Sequence, residues 1–242
     1  MSDMIAVVTG GSGGIGAAIA KMIALKSEGH LKVCVHYNGN VEAAKAVSSE
    51  IPGSFVVKAD LATEEGRKSL MDAVLAQGTP YCLINNAGID KPHEPALMVT
   101  EASFAKIIDT NLKAPLFLMR DFAKEMARNE GGVIVNVSSV LARKTVVGSA
   151  VYRAAKAALE ALTKQYASEL GPKGVRVVAV APGFIETAMT SAIPEEQRSV
   201  IRKDVALGSF GAPEAVAETV WHAVENQYLT GAVIAIDGGM AL

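Results

Sequence analysis

Several things are scarce in this chain of 242 residues, and each scarcity excludes a class of protein. There are two cysteines, Cys34 and Cys82. Each lies inside an apolar, strand-like stretch, so both are read as buried reduced thiols rather than as a disulfide framework or reactive pair. No charge dominates: 23 Lys and Arg stand against 25 Asp and Glu, for a net charge of -2. Without a basic excess, neither nucleic acid nor an anionic membrane is the expected partner. Half the residues are hydrophobic and the mean hydropathy is +0.28. Yet Gly, Asp and Asn keep breaking the apolar runs, and none approaches the roughly 18 to 20 residues of a membrane span. Residues 1–9 have no basic segment ahead of an apolar one, so no signal peptide is expected. Linker-like composition shifts, internal repeats and low-complexity runs are also missing. The expectation is one cytoplasmic domain over residues 1–242, able to bury roughly 70% of its unfolded surface without a staple.

What is present is an alternation of two kinds of segment. Residues 5–9, 32–36, 54–58, 82–85, 133–138, 175–181 and 233–236 read as strands. The first has no polar alternation, as in a strand covered on both faces. Helical stretches fall between them, at 14–27, 41–50, 63–77, 100–128, 149–170 and 213–225. Thr100 is the expected N-cap of the long stretch, and Pro115 is expected to kink or divide it. Such alternation gives an α/β fold, a single doubly wound domain of Rossmann type with helices on both faces of a parallel sheet. Ligands of such sheets bind beyond the carboxyl ends of the strands.

Those ends carry the informative residues. The first strand runs into Thr9-Gly10-Gly11-Ser12-Gly13-Gly14-Ile15-Gly16 and then a helix. Glycines let the backbone approach a phosphate, and the helix N-terminus offers free N–H groups. Asp60-Leu61, Asn85-Asn86-Ala87-Gly88, Ser138-Ser139 and Pro182-Gly183 end four further strands. In Tyr152-Arg153-Ala154-Ala155-Lys156 the tyrosine and lysine lie one helical turn apart. An ammonium there would lower the phenol pKa and make a general acid/base. Taken alone, the pair reads first as an ordinary helix face; the polar strand ends around it favour chemistry.

In this order the motifs resemble the short-chain dehydrogenase/reductase family, over nearly the whole chain. The resemblance implies a seven-stranded parallel sheet and an NAD(P)-dependent enzyme with Asn111, Ser139, Tyr152 and Lys156 as catalytic residues. Tyr152 would donate a proton to a carbonyl oxygen and Ser139 would polarise that carbonyl. Ser139 is preferred to Ser138 for its distance from Tyr152. Lys156 would tune Tyr152 and hold the nicotinamide ribose, with Asn111 supporting it through a water relay. The cofactor would lie on Gly10, Ser12, Gly14, Ile15 and Gly16 at the pyrophosphate, and on Asp60 and Leu61 at the adenine. Asn86, Ala87 and Gly88 would line the ribose, and Pro182, Gly183, Ile185 and Thr187 the nicotinamide. No metal is implied. Within the family, residues 181–187 and 236–240 most resemble 3-oxoacyl-[acyl-carrier-protein] reductases. That implies an acyl-thioester substrate, acyl carrier protein as a candidate partner, and a homotetramer built from the 100–128 and 149–170 helices and the C-terminal strand region. A dehydrogenase of a sugar, polyol or small ketone is the alternative; a nucleotide-sensing protein is the non-enzymatic one.

The chain also departs from these relatives. Gly13 stands where NADP-preferring members carry a cation. No carboxylate follows the second strand, where His36-Tyr37-Asn38 stand, so NADP(H) is favoured and NAD(H) left open. Glu130 replaces a carrier-docking base, Lys173 keeps one, and Arg128, Arg143 and Lys144 are candidates to compensate. His93 beside Glu94 lacks the further ligands a metal needs. Residues 186–210 read as a substrate lid whose Ala188, Met189, Ile193, Val200 and Leu207 would suit an acyl chain or packing against the domain.

Overall fold

Strand residues point alternately to two helical layers, and this sorts the core in two. Ala6, Val8, Val33, Val35, Ile84 and Val135 pack with Ile19, Ile23, Val216 and Val220 on one face. Ile5, Val7, Cys34, Leu83, Ile134 and Val177 pack with Leu70, Leu118, Phe122 and Leu159 on the other. Both faces are covered, which is why the strands lack polar alternation. The structure, a computed structural model, describes residues 3–90 and 94–242.

The strands are β1 (Met4–Val8), β2 (Leu31–Tyr37), β3 (Phe55–Lys58), β4 (Thr79–Asn85), β5 (Gly132–Val137), β6 (Val175–Pro182) and β7 (Val233–Ile236). They form one seven-stranded sheet in the order β3-β2-β1-β4-β5-β6-β7, and every pairing is parallel. The chain builds outward from β1 to β3, then returns to place β4 on the other side of β1. A crevice therefore opens beyond the carboxyl ends of β1 and β4.

The helices are α1 (Gly14–Lys26), α2 (Val41–Ser49), α3 (Glu64–Leu75), α4 (Glu101–Ile108), α5 (Ala114–Arg128), α6 (Ala150–Leu170), α7 (Ala188–Ser191), α8 (Glu195–Lys203) and α9 (Pro213–Glu225). Most expected boundaries differ from these by a few residues at most. Thr63 caps α3 by accepting the Gly66 N–H at 3.0 Å, and Thr100 forms a capping box with Ser103. The stretch read as one helix over 100–128 is two, joined by a π-helical turn at Asp109–Lys113. Pro115 has no N–H for the carbonyl of Asn111 four residues earlier. The turn widens instead, and Ala114 N–H reaches back five residues to Asp109.

Two polar devices hold elements in place. Asn85 on β4 donates to the Asn136 carboxamide on β5 at 2.9 Å. Asn136 donates in turn to Thr163 on α6 at 2.9 Å, and all three residues are buried. Arg176 on β6 is half-buried and donates to the carbonyls of Ala223 (2.8 Å), Val224 (2.6 Å) and Leu229 (3.2 Å). Its guanidinium thus closes the C-terminal end of α9, where bare carbonyls concentrate negative potential.

Both cysteines are buried and free. Burial pushes both thiols up, that of Cys82 to about 12. No helix among the described residues is long and apolar enough to cross a membrane. The Arg176 cap yields a direct expectation. Arg176→Met keeps the aliphatic stem but strips the donors, and should lower unfolding stability by ~2 kcal/mol. A shift in the denaturant midpoint at unchanged slope would show it.

Candidate active site

The glycine-rich turn is fixed by contacts that leave no room for side chains. Gly10 has φ +63°, and a Cβ there would sit 3.0 Å from Ala87 Cα. A Cβ on Gly16 would collide with the Gly10 carbonyl oxygen and crowd the Asn86 amide at 2.5 Å. Thr9 ties this turn to the end of β4. Its hydroxyl donates to the Ile84 carbonyl at 3.1 Å and accepts the N–H groups of Asn86 and Ala87, each at 3.0 Å. Asn86 Nδ2 donates back to the carbonyls of Thr9 (2.9 Å) and Gly10 (3.2 Å). At the start of α1, Gly13 is the N-cap and supplies no side-chain cap. The first N–H groups of the helix remain available to an anion, as a dinucleotide pyrophosphate requires.

Two cavities meet at this turn. One of about 380 Å³ is lined by Gly10, Gly14, Ile15, Gly16, Asn86, Ala87, Gly88, Ser139, Tyr152, Lys156, Pro182, Gly183, Ile185 and Thr187. The other, about 440 Å³, is lined by Ser12, Asp60 and Leu61, and shares Gly10, Ala87 and Gly88 with the first. Every residue expected at the cofactor therefore faces one trough across the ends of β1 and β4. Asn111 is the one expected site residue outside it, fully buried. Its carboxamide clamps the Ile89 backbone, accepting the N–H at 2.8 Å and donating to the carbonyl at 2.7 Å. Any part Asn111 has in a relay thus falls to its main chain.

At one end of the trough the reactive side chains converge. Tyr152 and Lys156 lie a turn apart on α6, and Lys156 Nζ is 5.7 Å from the centroid of the Tyr152 ring. Lys156 is 4% exposed and donates to the Val137 carbonyl at 2.8 Å. A Cβ on Gly88 would stand 3.6 Å from Lys156 Nζ and 3.3 Å from Asn111 Oδ1, so glycine lets this loop close on both. Ser138 is committed elsewhere, with its hydroxyl on the Glu160 carboxylate at 3.0 Å. Ser139 accepts the Leu141 N–H at 3.2 Å and its side chain faces Tyr152.

The electrostatics differ from the simple expectation that Lys156 lowers the Tyr152 pKa. Burial pushes the phenol up to about 12; Asp90 adds to the rise and Ser139 opposes it. Burial also depresses Lys156 to about 8, against an upward pull from Asp90. Withdrawal from water is the largest influence on both groups.

Sequence reasoning missed several participants. Asp90 acts on both Tyr152 and Lys156. His36 enters the sequence reading only through the carboxylate missing there, and it lines the second cavity. In the segment read as a lid, Ala188 and Met189 line the first cavity, and so does Thr190. Ile193, Val200 and Leu207 line neither cavity, and the last two are exposed. Arg198 on α8 makes a bidentate pair with Glu186 at 2.6 and 2.8 Å and lies over the Phe210 ring at 4.5 Å. His93 lies outside the described residues.

The depressed Lys156 has a measurable consequence. Its pKa is about 8 folded against 10.5 for an ordinary lysine, so folding expels a proton between those values. The parent protein therefore gains stability as pH rises from 8 towards 10.5, and the whole penalty applies below 8. That penalty is gross ~3 kcal/mol, reduced in a variant by the Val137 carbonyl left without its donor. Lys156→Met should unfold at higher denaturant than the parent at pH 7, with the difference shrinking above pH 8 in a pH series of unfolding curves.

Comparison with known proteins agrees with this geometry. The family model described as "Enoyl-(Acyl carrier protein) reductase" matches residues 10–241. The 3-oxoacyl-[acyl-carrier-protein] reductase FabG of Staphylococcus aureus is 37% identical, over 97% of this chain and 97% of its own. That of Rickettsia felis is 35% identical over 100% and 98%. A solved short-chain dehydrogenase/reductase from Serratia marcescens superposes with a TM-score of 0.90 at 32% identity, covering 100% of this chain and 99% of that one. A glycine turn and a tyrosine–lysine pair lining one cavity, with full-length similarity to such proteins, lead to one conclusion: the chain belongs to the short-chain dehydrogenase/reductase family and is an NAD(P)-dependent oxidoreductase.

Proposed function

We propose that the protein reduces a 3-oxoacyl thioester to its 3-hydroxyacyl form with NADPH. The observation that carries this reading is that Ser139, Tyr152 and Lys156 line the same cavity as Ala188 and Met189 of the lid segment. A carbonyl held there meets proton donors, and an acyl chain has apolar side chains to lie against. When bound, the nicotinamide supplies the hydride that goes to the carbonyl carbon.

The chain supplies the rest. Tyr152 gives its phenolic proton to the carbonyl oxygen as negative charge develops there, and the Ser139 hydroxyl donates a hydrogen bond to the same oxygen. A phenol raised to about 12 stays protonated at neutral pH, which suits the reductive direction. Lys156, near 8, is poised to pass a proton on towards Tyr152. Asn111 offers its main-chain carbonyl, which Pro115 cannot reach, to the water that would link Lys156 to solvent. Segment 186–210 serves as the lid, with Arg198 tying α8 to the Thr190 carbonyl of α7 at 2.9 Å and to Glu186 just before it.

NADPH is favoured because His36, Tyr37 and Asn38 bring no carboxylate to the adenosine cavity that would repel a 2′-phosphate. Carrier docking has weaker support. Glu130 is exposed, Arg128 pairs with Glu125 at 2.6 Å, Arg143 with Glu160 at 3.3 Å and Lys144 with Asp204 at 3.2 Å. The proposed substrate is accordingly the thioester itself, carried by coenzyme A or by a protein, and the proposed assembly is a homotetramer.

Initial rates of NADPH and NADH oxidation with acetoacetyl-CoA test the reading. Faster oxidation of NADPH is expected; faster turnover of a sugar, polyol or small ketone would replace it with the alternative dehydrogenase. Tyr152→Phe should lower kcat by about 10²–10⁴-fold while NADPH still quenches or shifts protein fluorescence as in the parent. Undiminished turnover in that variant would remove Tyr152 from the mechanism.

A further inference from the structure

His36 has a part that the reaction scheme does not use. It stands near the end of β2, only 2% exposed, and both its ring nitrogens are engaged. Nδ1 accepts the Gly10 N–H at 3.0 Å, and Nε2 faces the Ala59 carbonyl at 3.0 Å. A backbone N–H on one side and a carbonyl on the other permit one arrangement: neutral imidazole with its proton on Nε2. The His36 carbonyl also accepts the Gly11 N–H at 2.9 Å. One residue thus holds two successive amides of the phosphate-binding turn and joins it to the end of β3.

We propose that His36 is a positioning residue for the dinucleotide: its neutral Nε2–H form holds the glycine turn in the shape that receives the phosphates, and uptake of a second proton releases that hold. Protonation would put an Nδ1–H against the Gly10 N–H, donor to donor. Gly10 cannot yield easily, because it is packed against Ala87 and Asn86 on its other side. The turn that offers its amides to the pyrophosphate would have to move. Cofactor affinity therefore falls as His36 titrates, while Ser139, Tyr152 and Lys156, at the far end of the trough, keep their arrangement.

The surroundings of His36 favour the neutral form. Burial lowers its pKa, opposed by the Ala59 hydrogen bond and by Asp60. Asp60 comes from the end of β3, which also carries Lys58, exposed and in register with Tyr37. Lys106 and Asp109 line the same cavity, and the glycine turn contributes no charge.

The test is a calorimetric titration of the full-length protein with NADP⁺ and with NAD⁺, both stable in acid, from pH 8 to pH 5. NAD⁺ is included because the 2′-phosphate of NADP⁺ has its own ionisation near ~6. In the parent, log Kd for both ligands should rise towards low pH with a slope approaching one per unit, as one proton is bound on release. His36→Asn presents a carboxamide oxygen to Gly10 and cannot titrate, so its NAD⁺ curve should be flat. An equal slope in parent and variant, or a flat parent curve down to pH 5, overturns the proposal. Nitrogen-15 spectra of the parent imidazoles provide a second reading that needs no variant. They should show His36 as the Nε2–H tautomer, with a titration midpoint that falls further when NADP⁺ is bound. A midpoint that cofactor leaves unmoved overturns it as well.

Discussion

The rest of the structure depends on the contact between the end of β1 and the end of β4. Two chain segments far apart in sequence must meet there closely enough for one hydroxyl, that of Thr9, to bond both Asn86 and Ala87. Asn86 returns two bonds to the turn, and Gly16 leaves the Gly10 carbonyl room to pass beneath α1. The glycine-turn end and the Tyr152 end of the trough are thereby built on one junction.

From this junction the catalytic end is assembled by backbone carbonyls as much as by side chains. Lys156 is anchored by Val137, and Ile89 is held at both its N–H and its carbonyl by Asn111. The Asn85–Asn136–Thr163 chain keeps α6 in register with β4 and β5, and so keeps Tyr152 and Lys156 at the strand ends. These polar links are buried, where breaking one is costly, and Asn85 Oδ1 is left among them without a hydrogen-bond partner.

Much of this could be read from the residues, for physical reasons. Parallel strands covered on both faces leave continuous apolar runs, and the glycine turn, Asn86–Gly88, Ser139 and Pro182-Gly183 follow those runs directly. What escaped was conformational or electrostatic. The π-helical turn at Asp109–Lys113 depends on which amide replaces the one Pro115 lacks, a choice made in three dimensions. The Tyr152 shift depends on burial, which spacing cannot report, and Asp90 reaches Tyr152 and Lys156 from a loop no periodicity describes. His36 stands at a strand end, but the two bonds its ring makes depend on folded neighbours that the residue order does not place beside it. Ile193, Val200 and Leu207 were grouped by hydropathy, and the folding of their segment into α7 and α8 turned them from the cavity.

The two buried cysteines give the molecule a practical property. With both thiols sealed in the sheet and held in the protonated form, neither offers a thiolate to an alkylating reagent while the fold is intact. A single cysteine introduced on the outer surface of α8 would then be the one site that takes a dye or spin label in the native protein. The surroundings of α8 could then be probed without first removing the natural sulfurs from the core.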